Sequence, residues 1–319
     1  MTKKILIIGA GGQVGTELVL ALREKKGVDK VIASDWQEDC AESLKNGPYI
    51  QMNGLDRDFV RSFIIDNNIK EVYLLAALLS ATAEKNPAFA WELNMEGLFT
   101  ILDLGKEKYL DKIFWPSSIA VFGPTTPTEN TPQRTIMEPT TVYGISKQAG
   151  ERWCEYYNKQ HGVDVRSIRY PGLISYTSLP GGGTTDYAVH IYYEALKSKK
   201  FISNIKEGTK MDMMYMPDAL DAIINLMEAD PSKLKHRNAF NVTAMSFAPE
   251  NIYEEIKKHI PEFKLEYNVD PVKQKIAESW PNSLDDSAAR KEWGWNTKYN
   301  LASMNEDMLA KLRVKLGIK

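Results

Sequence analysis

Tyr143 and Lys147 stand four residues apart in the stretch TTVYGISKQAGERW. The spacing around them predicts a helix over Val142–His161, which puts both side chains on one helix face. A free phenol keeps its proton up to a pKa of about 10. An ammonium beside it favours the phenolate, and the first turn of a helix adds a smaller push in the same direction. Such a tyrosine can take the proton of an alcohol as hydride leaves the carbon. Ser117 and Ser118 end the strand-like run KIFWPSS, at what would be the carboxyl edge of a sheet. A serine hydroxyl there can hold the reacting oxygen.

Hydride transfer needs an acceptor, and the start of the chain suits a dinucleotide. LIIGAGGQVGTEL carries Gly9-x-x-Gly12-x-x-Gly15 where a first strand meets a first helix. Glycines there permit a tight turn and let backbone and helix N-terminus approach a pyrophosphate. The spacing departs from G-x-G-x-x-G, because Val14 stands where that pattern, counted from Gly9 and Gly11, needs glycine. The second predicted strand, VIASD, ends in Asp35, 20 residues after Gly15, where a carboxylate can accept the ribose hydroxyls of an adenosine. The run SDWQED has acidic residues and no Arg or Lys, so a 2′-phosphate would meet like charge and NAD is favoured over NADP. The positive charge of an oxidised nicotinamide would add to the pull on Tyr143. Asp56, after MNGL, suits either a hydrogen bond to the adenine edge or the N-cap of a helix.

The elements that must position these groups alternate. KILIIG, KVIASD, YIQMN, EVYLLAA, KIFWPSS and DVRSIRYPG read as strands of a buried parallel sheet, separated by helical stretches at 13–26, 56–67, 87–108 and 142–161. That rhythm predicts a Rossmann-type, doubly wound α/β fold with a smaller, interleaved mixed α/β substrate region. The expected NAD-binding part is 1–174 plus about 212–243, and the substrate region about 175–211 plus 244–319. Within the later part, TKMDMMYM reads as an edge strand, PDALDAIINLMEA as a helix with proline in its first turn, and AFNVTA as a strand.

Composition narrows the classes. The chain has 319 residues, 43% hydrophobic and 26% charged, with a net charge of −2 and no block of like charge, which argues against a nucleic-acid partner. No apolar run is long enough to span a membrane, and ILII is too short for a secretory leader; a cytoplasmic protein is expected. Cys40 and Cys154, its only cysteines, and four scattered histidines supply no close ligand pair, so no metal is expected.

The glycine turn, Asp35, Ala76 and Ala77, Ser118 and YGISK together resemble the extended short-chain dehydrogenase/reductase superfamily, and DMMYMPDALDAI and DDSAARKEWGW extend the likeness toward the C-terminus. The resemblance implies Ser118, Tyr143 and Lys147 as the catalytic set, Ser118 being favoured over Ser117 because IAVFG follows it as in the family. It implies cofactor contacts from Gly9, Gly12, Gln13, Val14, Gly15, Asp35, Trp36, Asp56, Leu75, Ala76, Ala77, Pro116, Tyr143, Lys147 and Tyr170.

Within the superfamily, epimerases carry R-Y-F-N-P where this chain has RYPG at 169–172, and dehydratases follow the active hydroxyl residue with an Asp-Glu pair where this chain has Ile119 and Ala120. Residues 172–196 contain no Arg or Lys, a poor setting for a sugar pyrophosphate. YPGLISYTSLPGGGTTDYAV, SSIAVFGP and SWPNSLDDS look like the short-chain L-threonine 3-dehydrogenase family. That likeness implies NAD-dependent oxidation of the threonine 3-hydroxyl, with Ser80, Ser118, Tyr143, Gly182, Thr184, Thr185 and Asp186 around the substrate. Glycine N–H groups and hydroxyls can receive the carboxylate of a small zwitterion, and Asp186 its ammonium. PGGGTTDYAV equally suits a loop entering a helix capped by Thr184 or Thr185. A nucleotide-sugar epimerase or reductase and a non-catalytic NAD sensor are the alternatives. The superfamily often dimerises through the helices at 87–108 and 142–161; Trp91, Leu98, Trp153 and Tyr157 suit such a bundle or the core equally.

Overall fold

A computed structural model of the chain describes residues 3–318; residues 1, 2 and 319 and the side chains of Ser80 and Ala81 lie outside the described set. The strands of the first half are β1 (Lys4–Ile8), β2 (Val31–Asp35), β3 (Tyr49–Gln51), β4 (Ile69–Leu74), β5 (Lys112–Phe114), β6 (Ser117–Ser118), β7 (Val165–Arg166) and β8 (Ile168–Tyr170). Those of the second are β9 (Gly172–Ile174), β10 (Lys200–Ser203), β11 (Met211–Tyr215), β12 (Phe240–Asn241), β13 (Met245–Phe247) and β14 (Lys264–Tyr267). Helices α1 (Gln13–Lys26), α2 (Arg57–Asp66), α3 (Ser80–Ala83), α4 (Pro87–Lys106) and α5 (Val142–His161) precede α6 (Tyr187–Lys197), α7 (Met216–Glu228), α8 (Pro249–Lys257), α9 (Pro271–Glu278), α10 (Ser287–Trp293) and α11 (Leu301–Leu316).

The main sheet is parallel, in the order β3-β2-β1-β4-β5-β7. β1 and β2 are buried along nearly their whole length because helices cover both faces, which is why KILII and VIASD run apolar rather than alternating. α1 and α7 pack Leu18, Leu22, Ala219 and Ile223 on one face. α2, α4 and α5 pack Ile64, Leu98, Ile101 and Cys154 on the other. The chain winds outward from β1 through β2, then crosses to β4 on the other side. That reversal opens a crevice at the carboxyl ends of the strands, where ligands of such sheets bind. The short β6 and β8 pair beyond the ends of β5 and β7, with Ser118 opposite Tyr170, and β12 adds beside β8.

A second core gathers α6, α8 and α11 around Met211, Met213 and Tyr215. β11 was expected at a sheet edge. It instead lies in the middle of three strands, parallel to β9 and antiparallel to β13, with all five residues buried. The stretch around α10 crosses the expected division at 244: Ala289 and Trp295 pack into the first core. Asp286 organises this turn, accepting from Arg290 Nε and from Trp295 Nε1. No helix among the described residues is long and apolar enough to cross a membrane.

Candidate active site

At the turn from β1 into α1, Gly9 has φ +93°, and a Cβ there would lie 2.5 Å from the Ala76 nitrogen. Only glycine fits that approach. Gly12, at the N-cap of α1, is exposed, and the helix has neither a side-chain cap nor an acidic residue in its first turn. Its leading N–H groups therefore face the crevice available to an anion. Gln13 Nε2 is buried there without a hydrogen-bond partner. Asp35, 8% exposed, accepts the Gly11 N–H at 2.8 Å, which pins the carboxylate at the end of β2. The crevice continues past Trp36, Met52, Asn53, Leu55, Ala76 and Phe89. Asp56 does not line it; its carboxylate caps α2 by accepting the Phe59 N–H at 3.1 Å. An open helix N-terminus, an unpartnered buried amide and a strand-ending carboxylate fit a dinucleotide.

The chemical end is built on α5. Thr141 Oγ1 accepts the Gly144 N–H and Glu84 accepts the Val142 N–H, so the first turn is capped from two directions. A Cβ on Gly144 would lie 2.1 Å from the Ala120 carbonyl oxygen; glycine lets the helix sit directly on the turn that follows Ser118. Tyr143 thereby hydrogen-bonds Ser118. Ser117 points elsewhere, donating to Glu151 Oε1 at 2.7 Å, and Glu151 is in turn paired with Arg169 at 2.7 Å. Lys147 is buried, donates to the Pro116 carbonyl at 2.6 Å and lies 4.2 Å from the centre of the Trp115 ring and 5.5 Å from that of Tyr143.

The electrostatics differ from the expectation that Lys147 lowers the Tyr143 pKa. Burial pushes the phenol up to about 12, the hydrogen bond to Ser118 opposing it. Burial also pulls Lys147 down to about 7, with Cys154 and then Glu151, both further along the helix, opposing that fall. Loss of water dominates both shifts, because the fold shuts both groups away from solvent. Part of the Tyr143 side chain still faces the crevice, so water is fully excluded from it only when that space is filled.

Ser118, Tyr143, Lys147, Pro116 and Tyr170 line one cavity with Gly183, Thr184, Thr185 and Asp186. Tyr170 contributes its ring, while its hydroxyl donates to the Ala219 carbonyl at 2.9 Å. Thr184 is 1% exposed, and its Oγ1 has no hydrogen-bond partner. Asp186 accepts the N–H groups of Gly182 and Gly183, so Gly182 meets the site through Asp186. Ser80 is the first residue of α3, and its side chain lies outside the described residues. Besides Met52, Asn53, Leu55 and Phe89 along the crevice, Gly11, Leu79 and Trp280 line the site without being singled out in the sequence. Trp280 reaches the cavity from beyond α9 by packing with Ile119 and Val121, a contact across more than 150 residues that no local pattern signals. A signal for Gly11 existed, since it belongs to the same glycine run.

The sequence matches the NAD dependent epimerase/dehydratase family over residues 5–243. It is 52% identical over 318 residues to an uncharacterized epimerase/dehydratase of Staphylococcus aureus, covering 99% of each chain. Among solved structures, the L-threonine dehydrogenase of Clostridium difficile superposes with a TM-score of 0.96 at 52% identity, covering 99% of both chains. The holo form of a GalE-like L-threonine dehydrogenase from Cupriavidus necator superposes with a TM-score of 0.94 at 51% identity, covering 97% of this chain and 99% of that one.

Proposed function

Because the chain belongs to the NAD dependent epimerase/dehydratase family, we propose that it is an NAD-dependent oxidoreductase that oxidises the 3-hydroxyl of L-threonine to 2-amino-3-oxobutyrate. The observation that carries this reading is the cavity that runs from the glycine turn of α1 to Tyr143 and Ser118 and on to the unpartnered hydroxyl of Thr184 and the carboxylate of Asp186. Among the described residues, the lining holds hydroxyls, one carboxylate and a single cation, Lys147, already committed to the Pro116 carbonyl, which suits a small zwitterion better than a sugar pyrophosphate. The likeness to L-threonine dehydrogenases over nearly the whole chain supports the same choice.

Bound NAD supplies the hydride acceptor. The open N-terminus of α1 and Gln13 would hold its pyrophosphate, and Asp35, already oriented by Gly11, would accept from the adenosine ribose and repel a 2′-phosphate. Ser118 holds the oxygen of the substrate hydroxyl and Tyr143 takes its proton. Lys147, fixed by the Pro116 carbonyl, keeps a second titratable proton beside the phenol. Thr184, Thr185 and the glycine loop orient the amino-acid end.

NADH formation from L-threonine and NAD, followed by absorbance with the purified protein, tests the assignment. Absence of that signal together with reaction of a UDP-sugar would overturn it. Tyr143→Phe removes the proton acceptor and should lower turnover by about 10²- to 10⁴-fold while NAD affinity, read by fluorescence titration, stays unchanged.

We further propose a homodimer formed through α4 and α5. Trp91, Trp153 and Tyr156 lie 44, 40 and 48% exposed. Leu98 and Tyr157, which suited either role, belong to the core.

A further inference from the structure

The loop at 180–183 folds back on the helix that follows it. The N–H groups of Gly182 and Gly183 both donate to Asp186 Oδ2, at 2.9 and 2.7 Å. Successive N–H groups converging on one oxygen make an anion nest. Its shape depends on glycine: Gly182 has φ +98°, and a Cβ on Gly183 would lie 2.8 Å from Asp186 Oδ1. His190, one turn further along α6, and Lys273 on α9 act on Asp186 through space, and neither makes an ion pair with it among the described residues. Burial raises the Asp186 pKa, and the two backbone hydrogen bonds oppose that rise. An independent feature of the same wall points to a ligand: Thr184 Oγ1, buried and unpartnered, lines the cavity with Ser118 and Tyr143.

We propose that Asp186 fills this nest as an internal stand-in for the substrate's carboxylate, and that the substrate enters by exchange. The incoming carboxylate takes the Gly182 and Gly183 N–H groups, and the displaced Asp186 receives the substrate ammonium. The inference rests on the reading of the site as one for a 3-hydroxy-2-amino acid. It turns a loop contact into a selectivity device. A ligand with a carboxylate alone would leave the half-buried Asp186 without its two donors, and a ligand with an ammonium alone would meet an Asp186 already engaged. Only a molecule with both groups on one carbon satisfies both halves of the exchange.

Competition against L-threonine by 3-hydroxybutyrate, which lacks the ammonium, tests the exchange in the wild type, Asp186→Ala and Asp186→Asn. Asparagine keeps an oxygen for the nest but removes the charge; alanine removes both. Exchange predicts that Asp186→Ala binds 3-hydroxybutyrate at least about fivefold more tightly than wild type, while Asp186→Asn stays within about twofold of wild type. Equal tightening in both variants would mean simple charge repulsion, and no tightening in either would mean the nest does not receive carboxylates; each result overturns the proposal. A second readout needs no turnover: the Gly182 and Gly183 amide proton resonances should move upfield in Asp186→Ala and return toward their wild-type positions on adding acetate. Unmoved resonances would also overturn it. If wild type fails to oxidise L-threonine, the proposed function falls, and the amide resonances still decide whether Asp186 occupies the nest.

Discussion

Tyr143 and Lys147 lie on one face of α5, and in the proposed reaction one of these two groups must have lost its proton before the alcohol can lose its own. With the phenol pushed up to about 12 and the amine pulled down to about 7, the first proton leaves near neutral pH. The kcat/KM for oxidation is therefore expected to fall about tenfold per pH unit below about pH 7 and to level off above it, the reverse reduction showing the opposite slope. Lys147→Ala leaves the phenol to titrate alone. Its acid limb should move up by several units, and its rate at neutral pH should drop by about 10²- to 10⁴-fold. Steady-state pH profiles of both proteins check this; an unmoved limb in the variant would detach Lys147 from the proton transfer. The spacing of Tyr143 and Lys147 was legible in the sequence because a helix puts residues four apart on one face. The direction of their titration was not, because it depends on how dry their surroundings are.

The helix α5 is held to the sheet by more than apolar packing. Glu151 and Arg169 form an ion pair with both side chains essentially unexposed, and Glu151 also accepts from Ser117 and Asn238. Removing one partner of such a pair leaves the other charge buried and uncompensated. Glu151→Gln should destabilise the protein by about 3 kcal/mol, measured from its urea midpoint. The same variant should lower the acid limb of the oxidation profile, because the Glu151 charge now opposes the burial-driven fall of the Lys147 pKa. An unchanged midpoint would show that the pair is hydrated. In the sequence, Glu151 reads as one more charge in QAGERW, and nothing local distinguishes it from the exposed Arg152 beside it.

At the scale of the molecule, aromatic residues of α4 and α5 face outward together. Trp153 meets Phe99 edge-on at 5.1 Å and Tyr156 at 5.6 Å, while its own outer side is uncovered. Clustered exposed aromatics of this kind mark association surfaces. Light scattering is expected to give a dimer for the wild type and a monomer for Trp153→Arg, with NAD binding retained in both. A monomeric wild type would overturn the proposed pairing. The sequence named Trp91, Leu98, Trp153 and Tyr157 as one set; only the packing separates the two exposed tryptophans from the two core residues.

Periodicity and turn chemistry act over a few residues, so the sequence alone determined the strand–helix alternation, the glycine turn ahead of α1, Asp35 at the end of β2, and the common face of Tyr143 and Lys147. Burial and long-range contact decided the rest. They commit Ser117 to Glu151 and leave Ser118 to Tyr143. They set β11 between two partners and bring Trp280 into the cavity. Asp186 shows the boundary most closely: its bonds to Gly182 and Gly183 reach only four and three residues back, as local turn chemistry allows, but the fold alone puts it in one cavity with Ser118 and Tyr143. Desolvation and side-chain partnership are properties of the assembled fold, and no run of residues carries them by itself.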